Sequence, residues 1–194
     1  MIADDPPVWV SKRRQPQRVR AAGRYDPRIP RATYDAAVSY GQRIGVLLDA
    51  IYDACPDGEA SPEHLGRLSP AHRAVFVVEW AMSEIYNGTL DQYFFNSAGD
   101  MAADLPAAAR FLGADDYAAI FDDAVAFFDP SRITDRSYRQ ARLRELEEAH
   151  RPDELGEVND RIYELEDAGR IIYRQICEYI DDHSGVFFRD SPPV

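Results

Sequence analysis

The chain has 194 residues, 45% of them hydrophobic, which is enough for one well-buried domain and short for two. Eleven tyrosines, nine phenylalanines and two tryptophans exclude a chain that is disordered throughout. The net charge of −12 argues against direct binding to nucleic acid, and no run of 18 apolar residues is present to span a membrane.

The charge is divided unevenly between the amino-terminal segment and the rest of the chain. Residues 1–31 contain eight basic and three acidic residues, whereas residues 32–194 contain 14 basic and 31 acidic residues. We therefore predict a flexible Pro/Arg-rich arm over 1–31, an acidic domain over 32–190 and a short tail over 191–194. The arm could be a solubilising leader, contact nucleic acid or fold back on the acidic domain. Its basic stretch SKRR is followed by QPQRVRAAGR rather than by apolar residues, so it is not a signal peptide.

Helical spacing of apolar residues dominates the first half of the chain. It predicts one helix over 33–55, with Tyr34, Val38 and Ile51 among its inward positions. Ser61 and Ser69 each precede a proline, a pattern typical of a helix N-cap followed by a proline at the first helical position. The helix that follows Ser69 is expected to run to about residue 86 and to be central, because it is apolar around most of its circumference.

Glycines and prolines mark the next boundaries. Gly88 is expected to terminate the central helix, and a short helical or irregular segment should follow over 90–95. A helix that begins near Asp100 should end at Gly113. The next helix should start at residue 115 or 116 and end at 129–130.

A charged helix over 135–150 and a long final helix over about 155–182 complete the predicted elements, with Gly185 ending the latter. Alternating strand patterns with hairpin turns are missing from the sequence. The predicted fold class is all-α, a single globular domain of about seven helices with a flexible basic amino-terminal arm. Cys55 and Cys177 lie within helical patterns and are interpreted as reduced core residues of a cytosolic protein, although the sequence neither supports nor excludes a disulfide.

Motifs for catalysis are missing. No GxSxG, HExxH, Cys/His or glycine-rich phosphate-binding pattern occurs, so we predict no enzyme activity and no cofactor. Glu147 and His150 form a Glu-x-x-His pair, which is half of a ferritin-type di-iron pattern, but a second pair is missing and we predict no metal.

Carboxylates are the abundant chemical group. Two sets are candidates for a partner-binding surface: Asp115, Asp116, Asp122 and Asp123 on one helix, and Glu157, Asp160, Glu164 and Asp167 on the last helix. The second set repeats at intervals of three and four residues, which places it on one helical face with neighbours about 5–6 Å apart. A solvated face, relieved by Arg161 and Arg170, is the alternative interpretation.

The stretch EIYNGTLDQYFFNSAGD over 84–100, followed by a helix ending in FLGA, resembles the DNA-mimic-protein-19-like family. The matching positions are Asn87, Gly88, Gln92, Tyr93, Phe94, Asn96, Ser97 and Gly99. Trp80 and Glu84 on the preceding helix, together with the closing YIDDHSGVFF, fit the same pattern, and the resemblance covers roughly residues 34–190. Thr89 stands where the family usually has a second glycine.

The resemblance implies an all-α, acidic, dimeric bacterial protein that imitates duplex DNA and occupies the DNA-binding face of a helix-turn-helix regulator. The motif itself cannot supply the mimicry, because Asn87, Gln92 and Asn96 are uncharged. We interpret them as structural residues whose amides satisfy backbone groups where the central helix ends. A small-ligand pocket lined by these amides is the alternative.

From these observations we expect an acidic, cytoplasmic protein-binding module that occludes the DNA-binding surface of a transcription regulator or another nucleic-acid-binding protein. The alternatives are an immunity-type protein that neutralises a basic toxin and, last, a small-ligand-binding protein or an enzyme that uses the amide-rich corner.

Overall fold

The computed structural model describes residues 25–55, 60–149 and 152–190. Within these ranges the chain forms eleven α-helices, seven of them with at least seven residues, and one 3₁₀ helix at Ser97–Met101. The helices are α1 (Arg31–Asp35), α2 (Tyr40–Ala54), α3 (Pro62–Leu65), α4 (Pro70–Asn87), α5 (Leu90–Phe95), α6 (Leu105–Phe111), α7 (Asp115–Val125), α8 (Arg136–Glu148), α9 (Pro152–Asp167), α10 (Ile172–Asp182) and α11 (Ser184–Phe187). The described residues contain no strand, and this confirms the predicted all-α class.

Helix α4 is the centre of the core. Its consecutive residues 74–78 are all buried, as expected for a helix that is apolar on most sides. It packs against α2, α5 and α6, and α6 in turn packs on α7. The central position predicted for this helix is therefore confirmed.

Side-chain caps fix where several helices begin. The Ser69 hydroxyl accepts a hydrogen bond from the backbone N–H of His72, and Ser61 does the same for His64. Both caps were predicted from the Ser-Pro pairs. Asp135 caps α8 by accepting from the backbone of Ser137 and Tyr138. Each of these caps satisfies an N–H group that has no partner inside its helix.

The prediction of one continuous helix over 33–55 was wrong. The structure has two helices, α1 and α2, because the chain turns between them and Ser39 caps α2 by accepting from the N–H of Gln42. Val38, which was predicted to face inward, lies in that turn and is 89% exposed.

The long helix predicted over 155–182 was also wrong, since it is divided into α9 and α10. Gly169 has a φ of 76°, a left-handed conformation that glycine adopts without the steric penalty of a side chain. The break leaves Ala168 exposed, although helical spacing had placed it inside. It also turns Arg170 toward α7, which matters for the acidic surface described below.

Other predicted boundaries differ by a few residues. The helix expected near Asp100 begins at Leu105, after the 3₁₀ helix, while its end at Gly113 is confirmed by a φ of 77° there. Helix α7 ends at Val125, ahead of the predicted 129–130 boundary. Helix α10 ends at Asp182, ahead of Gly185, which was expected to terminate it and itself lies inside α11.

The amino-terminal segment packs on the domain earlier than the predicted boundary at residue 31. The Ile29 N–H donates to the carbonyl of Phe187, and the Arg189 N–H donates to the carbonyl of Ile29. Tyr25 bonds through its backbone to Arg67. Residues 25–30, assigned to the arm from the sequence, thus belong to the packed chain, whereas 1–24 and 191–194 lie outside the described residues.

Both cysteines are buried free thiols, as the sequence interpretation proposed. Burial raises the pKa of Cys55 to about 11, so its thiol stays protonated at neutral pH.

Candidate protein-binding surface

The first candidate region is the motif corner, residues 84–100, where α4 ends and α5 and the 3₁₀ helix follow. The Glu84 carboxylate lies at its centre and accepts hydrogen bonds from the side-chain amides of Gln92 and Asn96, each at 2.8 Å. Hydrogen bonds to a charged acceptor are stronger than bonds between neutral groups. One carboxylate on α4 therefore holds the two segments that follow that helix.

The prediction that the amides satisfy backbone groups was wrong for Gln92 and Asn96, because both bind the Glu84 side chain. It holds for Asn87, whose amide donates to the backbone carbonyl of Ser83 at 2.8 Å. Asn87 is exposed, so its bond is less shielded from water than the other two. All three amides are engaged within the fold, which favours the structural interpretation over a ligand pocket.

Two glycines of the motif permit close contacts. A Cβ atom at Gly88 would lie 2.3 Å from Oε1 of Gln92, and a Cβ atom at Gly99 would lie 2.7 Å from the backbone oxygen of Tyr93. The Gly99 Cβ would also lie 2.8 Å from Nε of Arg139. These distances leave no room for a side chain at either position.

The remaining motif residues are divided between the core and the surface. Tyr93 and Phe94 are buried, and Trp80 is half-buried with its ring 5.2 Å from that of Phe76. Ser97 is exposed at the start of the 3₁₀ helix. The aromatic motif positions are thus packing residues.

Arg139 is the buried partner of the motif corner, and the sequence analysis missed it. Its side chain is fully buried and donates to the carbonyls of Phe94, Ile133 and Asn96 at 2.7, 2.6 and 3.1 Å. It also pairs with the Asp100 carboxylate at 2.7 Å. The sequence around Arg139 does not distinguish it from the other arginines of the charged helix α8. Its role is visible only in the folded chain, where it contacts Asp100, a residue 39 positions earlier.

The charge state of Asp100 follows from this contact. Burial opposes ionisation of the carboxyl, but the hydrogen bonds from Arg136 and Arg139 outweigh it and hold the pKa of Asp100 below the ordinary value. Asp100 is therefore ionised at neutral pH and balances the buried guanidinium. This pair belongs to the architecture of the corner.

The second candidate region lies on α9. Four carboxylates at three- and four-residue spacing are all exposed and have no ion-pair or hydrogen-bond partner among the described residues: Glu157, Asp160, Glu164 and Asp167. We call this set the α9 carboxylate row. The structure brings its members together on one face of one helix, as their spacing implies.

The α7 carboxylates, Asp115, Asp116, Asp122 and Asp123, have a different environment. Three of them form ion pairs: Asp116 with Arg170, Asp122 with Arg110, and Asp123 with Arg161 at 2.7 Å. Asp115 is exposed and has no such partner among the described residues. The α7 carboxylates therefore carry less uncompensated charge than the α9 carboxylate row.

Helices α7 and α9 pack side by side, and this places the two carboxylate sets on adjoining helices. The Arg161–Asp123 pair crosses from one helix to the other, and the Tyr117 hydroxyl donates to the carbonyl of Arg170 at 2.8 Å. The arginines that the sequence analysis proposed as relief for the α9 carboxylate row instead pair with α7. As a result, the row itself remains open to a partner.

Metal-ligand clusters and membrane-spanning helices are both lacking in the described residues. Within them, no group of three His, Cys, Asp or Glu side chains could hold a metal ion, and His150 of the Glu-x-x-His pair lies outside them. No helix in the described ranges is long and apolar enough to cross a membrane.

The fold and these two regions define an acidic, all-α protein whose amide-rich corner is architectural and whose open surface is anionic. A family model described as DMP19-like protein matches residues 66–183, which include both the motif corner and the α9 carboxylate row. The chain belongs to this family. Comparisons with curated proteins and with solved structures gave no match.

Proposed function

We propose that this protein is a DNA mimic that binds the basic DNA-binding surface of a transcription regulator, such as a helix-turn-helix protein, or of another nucleic-acid-binding protein. It would act by occlusion in the cytoplasm, without catalysis. Membership of the DMP19-like family supports this role. The observation that carries the proposal is the α9 carboxylate row, an exposed line of formal negative charges without compensating cations among the described residues.

The spacing of the α9 carboxylate row suits this role. Glu157 and Asp167 are ten residues apart, so the four carboxylates extend about 15 Å along the helix, or one charge per roughly 5 Å. One strand of duplex DNA carries a charge per about 3.4 Å. The row therefore approaches the charge density of one DNA strand, and Asp115 on the adjoining helix adds a further open carboxylate.

The net charge of the protein explains how such a row would find its partner. An acidic surface attracts basic surfaces and repels nucleic acid, so the domain competes with DNA and does not bind it. Phosphate contacts dominate the affinity of proteins for DNA, and carboxylates at comparable spacing would replace them.

The test is capture of a partner by the wild-type protein and by a charge-reversed variant of the row. Glu157→Lys with Glu164→Lys should abolish capture of a DNA-binding protein, and duplex DNA should compete with the wild-type complex. The control is Asp49→Lys with Glu63→Lys, which changes the net charge equally at exposed positions on α2 and α3. Equal loss in both variants would show that net charge alone drives binding and would contradict a specific surface.

The identity of the captured protein distinguishes the two binding hypotheses. A helix-turn-helix regulator supports DNA mimicry, whereas a basic toxin nuclease would support the immunity-type function. Partner affinity should also fall steeply with rising ionic strength, because the contact is largely electrostatic. A complex that is insensitive to salt would contradict the proposal.

A further inference from the structure

A cleft of about 510 Å³ lies between α5, α8 and α9, beside the motif corner. Its volume is within the range of about 300–1,000 Å³ that is typical of small-ligand sites. Its floor is apolar and includes Leu146 and Leu155, both buried. Phe95 also lines it and is 50% exposed, an unusual degree for an aromatic ring beside a packed core. We call it the Phe95 cleft.

Phe95 is held in place by its backbone. The Gln140 side chain on α8 donates to the Phe95 carbonyl at 3.0 Å, which ties α5 to α8 across the cleft. The neighbouring Phe94 carbonyl accepts from buried Arg139. The ring therefore projects from a rigid segment, and its exposure is not the result of a loose helix end.

The rim of the Phe95 cleft is charged. Asp91 on α5 and Glu147 on α8 present exposed carboxylates, and Arg144 is the cation among the lining residues. Glu147 and Arg144 have no ion-pair partner within 4 Å among the described residues. The rim thus has a net negative charge above an aromatic and aliphatic floor.

This combination fits a long side chain with an apolar stem and a cationic head. The methylene groups of an arginine can cover the leucine floor, while its planar guanidinium stacks on an aromatic face and bonds to carboxylates. A lysine offers the charge without the planar group, and an aliphatic side chain would add no cation to the carboxylates of the rim.

We propose that the Phe95 cleft binds an arginine side chain that projects from the basic surface of the protein partner. This rests on the proposed function, because the same kind of partner supplies the arginine. Leu155 of the cleft and Glu157 of the α9 carboxylate row are two residues apart on one helix, which is about 3 Å along its axis but about 200° around it, so the cleft and the row face different sides of α9. A partner must therefore extend around the start of α9 to use both, with the row attracting its basic surface and the cleft anchoring a single residue.

The test uses a probe that does not depend on knowing the partner: the blocked tripeptide acetyl-Ala-Arg-Ala-amide, titrated into the full-length isotope-labelled protein and followed by NMR. Saturable chemical-shift changes should be confined to residues of α5, α8 and the start of α9. Analogues with citrulline or norleucine in place of arginine should bind about two- to fivefold more weakly, because they lack the charge. Equal affinity for norleucine would overturn the proposal.

Variants locate the binding. Phe95→Ala should weaken the arginine peptide about two- to fivefold and Glu147→Gln about twofold. Phe111→Ala is the matched control, since Phe111 is 47% exposed on α6 and does not line the cleft; it should leave binding unchanged. Unchanged binding by a folded Phe95→Ala protein would overturn the proposal.

Two other occupants would each overturn a role for the partner. If Phe95→Ala without peptide shifts resonances of residues 1–24, the cleft holds this chain's own amino-terminal segment. If the same change converts a dimer to a monomer in sedimentation, the cleft holds a second copy.

The Glu157→Lys and Glu164→Lys variant separates this proposal from the proposed function. Its affinity for the tripeptide should stay within about twofold of the wild type, because the row contributes only screened charge at the cleft. Loss of partner capture with retained tripeptide binding would support both sites. If this variant still captures the partner and still binds the tripeptide in the cleft, the role of the α9 carboxylate row is overturned and the cleft proposal stands.

Discussion

Carboxylates occur in both candidate regions, but their surroundings differ. In the motif corner, Glu84 accepts from two amides and Asp100 pairs with two arginines, so each charge is satisfied inside the fold. On α9, the carboxylate row is exposed and has no partner among the described residues. The family motif therefore maintains the fold, while the open charges outside it are available for binding.

The α7 carboxylates are intermediate between the two regions. Three of the four are paired with arginines, yet every pair is at the surface, with side chains 42–57% exposed. Ion pairs of this kind contribute about 0–1 kcal/mol to stability. A basic partner could replace these arginines at little cost in stability. The α7 carboxylates can therefore extend the binding surface, with the α9 carboxylate row as its main part.

The largest expected effect is at Arg139. Arg139→Met should lower the free energy of unfolding by about 3–5 kcal/mol, because it leaves three carbonyl groups without their donor and removes the buried one of the two arginines that pair with Asp100. Urea unfolding measures the loss. Arg136→Met is the control, since Arg136 pairs with the same Asp100 from a side chain that is 46% exposed, and it should cost less than about 1 kcal/mol. Equal losses in the two variants would show that the burial of Arg139 does not increase its contribution to stability.

The next effect concerns pH and the buried His72 in the first turn of α4. Burial lowers its pKa from 6.5 to about 4, and its Nε2 has no hydrogen-bond partner among the described residues. Since the folded pKa is depressed, stability is fully present above pH 6.5 and is lost as pH falls toward 4, by up to about 3 kcal/mol.

His72→Leu should remove this part of the acid sensitivity, as measured by urea unfolding across that pH range. Burial raises the pKa of Glu79 to about 7, so Glu79 changes stability in the opposite direction, and the comparison must be between wild type and variant at each pH. An NMR titration midpoint of the His72 imidazole near 6.5 in the folded protein would contradict the prediction.

A smaller effect separates two amides of the motif. Gln92→Ala should cost about 1–3 kcal/mol, because it removes a donor from the half-buried Glu84. Asn87→Ala should change stability by no more than about 0.5 kcal/mol, since Asn87 is exposed. Thermal unfolding of both variants checks the order. A larger loss at Asn87 would mean that its bond to the Ser83 carbonyl, and not the Glu84 cluster, holds the corner.

The smallest effect on stability is expected on α9. Glu157→Lys with Glu164→Lys should leave the melting temperature nearly unchanged, because exposed positions usually contribute within about 0.5 kcal/mol. Relief of like-charge repulsion along the row, about 0.2–0.5 kcal/mol per pair, offsets any lost helix preference. A large drop in melting temperature would show that the row is architectural, like the motif corner.

Local signals determined much of this protein from the sequence. Apolar periodicity predicted an all-α chain with α4 at its centre, and the Ser-Pro pairs predicted two helix starts. The exposure of the α9 carboxylate row also follows from helical spacing, because an unpaired row of charges is too costly to bury. These features depend on residues within a few positions of one another, where side-chain type and period act directly.

Tertiary structure alone decided which charges are satisfied. The Glu84 acceptor, the buried Arg139–Asp100 pair and the arginines beside α7 join residues that are 8–54 positions apart. No local pattern distinguishes Arg139, buried in a charged helix, from its exposed neighbours. The helical spacing of apolar residues continues through Gly169, so the sequence did not show the break there that directs Arg170 to α7. Ion pairing depends on where helices pack, and packing is set by the whole core, so the division between architectural and open carboxylates became visible only in the folded chain.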